Sequence, residues 1–407
     1  MNRWALMTTI AVFAAGQAEA RSLEIAPGDG AQERLQTALL DAKPGDEVVL
    51  AAGRYVMDDG LSLDVDGVTV RGAGQDKTVL SFAGQKGAGE GLLITSDRVT
   101  VRDLAVEDTK GDGIKALGTD QISFLNLRVE WTRGPDEKNG AYGVYPVSST
   151  NVLIDRVTVR GASDAGIYVG QSRNIVLKNS TAEFNVAGIE IENSMNADVF
   201  DNVATHNAGG VLVFDLPGLP QMGGHSTRVF RNRIVQNDTP NFAPKGNIVA
   251  SVPTGTGVMV MANRDVHVFD NDIDANQSAA VLLVAYQKTF TDPNYNPLPR
   301  AIAVTGNRIG RNGWAPQFPG GAELAAAVGG VLPPIVWDGV VTDPRTGAIS
   351  PETGRMSLAD GPVLNLRLPA AGAMDKANPD LAPKIGDAVL PQPAEVKLPA
   401  AQAALGS

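Results

Sequence analysis

The chain has 407 residues, of which 43% are hydrophobic but only 5% aromatic, with 45 glycines and no cysteine. The formal charge of −11 argues against a nucleic-acid backbone or an anionic membrane surface as partner. The lack of cysteine excludes disulfides, thiolate chemistry and a lipid-modified cysteine anchor.

The first segment reads as a signal peptide. Arg3 supplies the positive start, Ala5 to Ala15 a short apolar stretch, and Ala18-Glu19-Ala20 the small residues that a signal peptidase reads. Cleavage after Ala20 is expected, which places the mature protein in the periplasm or outside the cell. The apolar stretch is too short to span a bilayer, so no membrane insertion is expected, and a monomer is expected.

Residues 21–57 form an N-terminal unit. Leu35, Ala38, Leu39 and Ala42 share one helical face, Pro44-Gly45-Asp46 ends that helix, and 47–50 and 53–56 read as strands. Such a helix would cap the open end of a solenoid, which otherwise exposes unpaired strand edges.

Residues 58–312 carry a repeat. Its first half reads Gly-[Ile/Val] at Gly113-Ile114, Gly143-Val144, Gly166-Ile167, Gly188-Ile189, Gly210-Val211 and Gly257-Val258. Its second half ends in Asn at Asn179, Asn202, Asn232, Asn271 and Asn307. Asn179 to Asn202 is 202 − 179 = 23 residues, and Gly166 to Gly188 is 188 − 166 = 22. A fixed period of this size predicts an all-β solenoid, a right-handed parallel β-helix of about nine to ten coils. The repeated Asn is expected to stack as a structural ladder. The excess residues of the longer intervals fall into Trp131 to Tyr142, Asp215 to Ser226, Asp238 to Thr256 and Tyr286 to Arg300, which flank the Gly-[Ile/Val] strands and mark one working face. Residues 313–362 read as a loop-rich capping region and 363–407 as an Ala/Pro-rich, semi-extended tail.

Strand alternation turns Ile114, Val144, Ile167, Ile189, Val211 and Val258 inward. The residues after them form an outward column: Lys115, Tyr145, Tyr168, Glu190, Leu212, Met259, Leu282. The first four are titratable, and on this reading they are the catalytic set. Lys115 or a deprotonated tyrosine would act as base and another tyrosine as acid to a leaving oxygen, with cations such as Arg133 and Lys138 lowering their pKa values. Trp131, Arg133, Lys138, Glu192 and His206 are the candidate substrate-binding residues. Asp108, Asp112 and Asp164 are the candidate ligands for Ca²⁺, the candidate cofactor. The apolar half of the column predicts a cover drawn from 238–256, 286–300 or 313–345. His267 is expected on the surface.

The segment LQTALLDAKPGDEVVLAAGRYV, followed by VTVRGAGQDKTVL, resembles the N-terminal cap and first coil of the pectate-lyase-like right-handed β-helix superfamily. Within it, VFDLPGLPQMGG and NFAPKGNIVASVPTGTGVMVMA are similar to a family of exported bacterial β-helix-repeat proteins without a settled activity, often found beside a c-type cytochrome partner. The wider superfamily includes pectate lyases, alginate lyases and mannuronan epimerases. The epimerases share an Asp-Pro-His motif that this chain does not contain. The resemblance implies a polysaccharide lyase or epimerase acting on an acidic glycan. The alternative is a non-catalytic β-helix that docks a periplasmic protein, such as a c-type cytochrome, through its loop-bearing face. A hydrolase using the paired carboxylates Glu190 and Glu192 is a third reading.

Overall fold

The computed structural model describes residues 20–349, 355–370, 374–386 and 389–406. The expected signal peptide, but for Ala20, lies outside the described residues. The described chain winds as a right-handed parallel β-solenoid of about 13 turns, more than the nine to ten expected. Coils at both ends lack the Gly-[Ile/Val] signature and so do not show in the repeat. Strands Leu61–Leu63 and Leu92–Ile94 pair below Ile114–Leu117, and Ile335–Trp337 and Val363–Asn365 pair above Ala279–Val284.

Two sheets of 20 and 12 strands form the wall. The larger holds two of the three faces, joined where the long strands Thr100–Glu107 and Asp120–Glu130 run through both. The 12-stranded sheet carries the Gly-[Ile/Val] strands. Its register aligns Ile114 with Val144, Val144 with Ile167, Ile167 with Ile189, Ile189 with Val211 and Val211 with Val258. These side chains are fully buried in one continuous core of Val, Ile and Leu. The helix Ala31–Asp41 forms where the apolar spacing placed it, and Leu35 and Leu39 bury into that same core.

The repeated glycine answers to close approach between coils. A Cβ at Gly143, Gly188 or Gly210 would stand 2.6–2.7 Å from the carbonyl oxygen of the next coil. Asparagine takes the corners. Asn202, Asn232, Asn271 and Asn307 form a ladder in which each side-chain amide donates to the next side-chain oxygen at 2.8–3.0 Å, and Asn307 donates to Asp360. The same oxygens accept backbone N–H groups from the coil before, so each buried amide is satisfied twice over. Asn179 is not part of this ladder. Lys178 pairs with Phe200, so Asn179 aligns with Asp201 in the left-handed corner position, and Ser180 takes the rung, donating its N–H to Asn202. A second ladder runs through Asn185, Asn207, Asn237, Asn276 and Asn312.

Residues 389–406 lie along the outside of the larger sheet. The Val396 N–H donates to Asp198 at 3.1 Å, and the Gln402 amide, in the helix Ala400–Leu405, reaches the carbonyls of Ile122 and Asn151 at 2.9 and 2.8 Å. His267, expected on the surface, is buried on this sheet between Arg228 and Ala303, with Nε2 3.5 Å from Asp265 Oδ1. No described helix is long and apolar enough to cross a membrane.

Candidate active site

The register sets the outward column in the expected order. Leu93 pairs with Lys115 and Lys115 with Tyr145, then Tyr168 with Glu190, Glu190 with Leu212, Leu212 with Met259 and Met259 with Leu282. Beyond it, Val336 and Leu364 continue the column as apolar residues. Leu212, Met259 and Leu282 share a hydrophobic cluster with Val249 and Val252 of one long loop, Tyr295 and Leu298 of another, and Leu324 and Leu332. The cover expected from the sequence is therefore present, and the cleft stays open over the early coils.

That cleft has a volume of about 480 Å³ and is floored by Tyr142, Tyr145, Asp164, Tyr168 and Glu192. Its walls are Leu216, Pro217 and Leu219, Gly246 to Ile248, and Tyr286 with Lys288, drawn from three of the four predicted insertions. The tyrosines form one aromatic cluster, with centroids 4.5 Å apart for Tyr142 and Tyr145, 4.4 Å for Tyr142 and Tyr168, and 5.0 Å for Tyr145 and Tyr168. Tyr168 bends over Gly170, where a Cβ would lie 2.4 Å from its Cε1, and donates its hydroxyl to Glu192 Oε1 at 2.6 Å. Gly170 is the register partner of Glu192, so a glycine here is what lets the tyrosine reach along the strand.

Four carboxyl groups line or underlie this floor. Glu192 is pushed up to about 7 by burial, against the Tyr168 hydroxyl that favours its ionised form. Asp164 is raised to about 7 by burial, although the Asn247 amide donates to its Oδ2 at 2.9 Å. Glu190 is 1% exposed, both of its carboxyl oxygens lack a hydrogen-bond partner, and burial raises it well above the usual range. Asp112 is raised by burial to about 6.

The catalytic candidates Tyr145 and Tyr168 and the binding candidate Glu192 thus meet in one cleft, with Glu190 beneath them. Lys115 stands at its edge, 2.9 Å from Glu90 Oε1 and 5.0 Å from the centre of the Tyr145 ring. The tyrosine pKa values, expected to be lowered, are raised. Burial and the surrounding carboxylates push Tyr145 to about 12 and Tyr168 well above its usual value. Arg133 and Lys138, exposed on their loop, do not line the cleft. Trp131 is buried beneath that loop, and its indole N–H donates to the Thr109 carbonyl at 2.7 Å, so it holds the coil rather than a ligand. His206 occupies a left-handed corner (φ 53°), which turns its ring to stack on Phe184 and bond Asp238 at 2.8 Å, away from the cleft.

The Ca²⁺ ligand set does not assemble. Asp108 accepts from the N–H and hydroxyl of Thr132, Asp112 faces Tyr142 N and Lys115, and only Asp164 lines the cleft. Among the described residues, no three His, Asp or Glu side chains converge to hold a metal ion. Tyr142, Asn247, Gln171 and Lys288 complete the cleft but were not foreseen. Alternation gives Tyr142 the parity of the core residue Val144, yet it aligns with Ala165, at the strand's start, and turns into the cleft. Asn247 meets Asp164 across 83 residues, a contact that only the loop path creates.

Residues 66–219 match the family model of the right handed beta helix region. The match covers less than half of the chain and agrees with the right-handed parallel β-helix described above. No curated protein sequence matches the chain. Among solved structures it is similar to the Azotobacter vinelandii mannuronan C-5 epimerase AlgE4 A-module, with 17% identity over 73% of this chain and 89% of that chain at a TM-score of 0.51. It is also similar to the GH136 lacto-N-biosidase from Eubacterium ramulus, with 12% identity over 73% of this chain and 65% of that chain at a TM-score of 0.50. At these identities the likeness is one of fold.

Proposed function

We propose that the protein is an exported, carbohydrate-active β-helix whose cleft cleaves a glycosidic bond by general acid–base chemistry, with Glu192 and Asp164 in the two roles. The observation that supports this reading most is the pair itself: two buried carboxyls poised near 7, one held by a tyrosine hydroxyl and one by an amide, on a tyrosine floor. A carboxyl near 7 is a competent proton donor to a leaving oxygen at neutral pH, and its ionised partner activates water on the far side. The tyrosine rings supply the flat apolar face on which a sugar ring stacks.

The lyase or epimerase reading needs a base to remove the proton beside a uronate carboxylate. Tyrosines pushed up by their surroundings keep their protons at neutral pH, so neither Tyr145 nor Tyr168 is present as the base that this reading needs. Turnover of neutral, amino and uronate oligosaccharides, followed by reducing-end release, tests the proposal. Cleavage should fall at least 100-fold in Glu192→Gln (about 3 kcal/mol of barrier). New absorbance from an unsaturated sugar, a changed uronate ratio, or no product from any glycan would reject it.

A further inference from the structure

The carboxyls of Asp164 and Glu192 at the cleft floor and of Glu190 beneath it share a feature that hydrolysis alone does not require. The charged groups acting on Asp164, Glu190 and Glu192 are one another, Asp112 and Asp215, all acidic. Of the two lysines at the cleft, Lys115 is already engaged by Glu90 and Asp112, and Lys288 stands on the wall without acting on these three carboxyls. Asp215, which accepts from the Gly223 and Gly224 N–H groups at 3.1 and 2.8 Å, acts on Glu192 as a like charge. Glu190 faces the cleft side of its strand, fully buried, with two oxygens that nothing in the described protein satisfies. A buried carboxyl in this position either keeps a proton or waits for a cation.

Above it stand three tyrosine rings within 5.0 Å of one another, and the Lys115 ammonium already rests against one of them. Aromatic faces backed by carboxylates select organic ammonium groups. Metal coordination fits less well, because among the described residues no three acidic side chains are grouped so as to hold a metal ion. We propose that the cleft takes a glycan bearing a free amine, an amino sugar whose ammonium seats on the Tyr142–Tyr145–Tyr168 cluster with Glu190 as its counter-charge, Asp164 and Glu192 keeping their acid and base roles. This rests on the cleft being the glycan site and names the substrate class.

The groups facing Glu190 are Asp164, Glu192, Tyr142 and Tyr168, so an arriving ammonium meets carboxyls that hold protons at neutral pH. It favours the ionised form of Glu190 and expels its proton. Affinity should therefore rise with pH, by up to about tenfold per pH unit for each proton released, until the amine itself deprotonates.

Calorimetry on the full mature chain tests this with fully deacetylated chito-oligosaccharides against fully N-acetylated oligomers of equal length, from pH 6 to 8, in buffers of different ionisation enthalpy. The amine form should bind at least tenfold tighter and release protons. Glu190→Gln should lose most of that release, and Tyr145→Leu, which keeps every carboxyl, should weaken the amine form about tenfold while sparing the proton count. Equal or tighter binding of the acetylated oligomer, absence of proton release, or no binding of either oligomer would overturn the proposal. So would Ca²⁺ alone binding the site and abolishing the amine preference. Turnover of a neutral glycan with no amine preference would reject this inference and leave the hydrolytic reading standing. Amine binding without turnover would do the reverse.

Discussion

Raising the pH should weaken this fold through its cleft, and the size of the effect follows from the burial of Glu192. Its pKa moves from 4.5 to about 7 on folding. Each pH unit between those values is worth about 1.4 kcal/mol, so on the order of 3 kcal/mol of stability is lost by the time Glu192 ionises. The folded state holds the proton more tightly than the unfolded chain. Stability is therefore fully present below the unfolded value, declines as pH climbs through the window from about 4.5 to 7, and is flat above it. Asp164 shifts in the same direction for the same reason. Asp46, held low by Arg21, loses its contribution only at pH values below that window. The assay is urea unfolding followed by tryptophan fluorescence at pH 5, 6.5 and 8. Glu192→Gln should remove a large part of the slope and be more stable than the parent at pH 8 by about 2–3 kcal/mol, since its amide oxygen still accepts from Tyr168 without burying a charge. Equal slopes in parent and variant, or a parent as stable at pH 8 as at pH 5, would refute buried, proton-holding carboxyls.

Three further outcomes follow from particular contacts. Asn232→Ala strips the Asn202 N–H and the Val199 carbonyl of partners at 3.0 and 2.9 Å inside the wall, so urea unfolding should show a loss of about 3–4 kcal/mol. Gly170→Ala pushes against the Tyr168 ring and should lower cleft binding tenfold or more in calorimetry, at a stability cost of about 1–3 kcal/mol. Deleting residues 389–407 removes the Gln402 amide from the Ile122 and Asn151 carbonyls; amide exchange should quicken in strands Asp120–Glu130 and Thr150–Asp155, with about 2–4 kcal/mol lost overall.

The solenoid was legible because its geometry repeats. Each Gly-[Ile/Val] step reports a close contact between coils, and alternation from that step orders Lys115, Tyr145, Tyr168 and Glu190 correctly. What escaped lies where the repeat does not govern. His206 stands at a corner, where a left-handed residue redirects the side chain that alternation would place. Trp131 belongs to an insertion whose path decides whether an aromatic points out or under. The pKa values went the other way because the sequence locates charges along the chain, whereas burial, the largest influence on Tyr145, is set by loops packed from elsewhere.

The outward column supplies its own control for the meaning of the acidic cluster. From Leu212 through Met259, Leu282 and Val336 to Leu364, the same strand position is apolar and packed under loops. Apolar side chains therefore fit this register in five consecutive coils, and each contributes roughly 1.5–3 kcal/mol by burial. One coil earlier the column holds Glu190, which is as buried as Leu212 and has no hydrogen bond to offset its desolvation. A leucine there would be more stable by the same reasoning that makes Glu192→Gln stabilising at pH 8. The fold thus carries a carboxyl where its own pattern offers a better-packed alternative. It does so only beside Tyr168, Glu192 and Asp164, where the loops leave the column open. Stability lost at one register, and at that register alone along this run, is what a site selected for chemistry leaves behind.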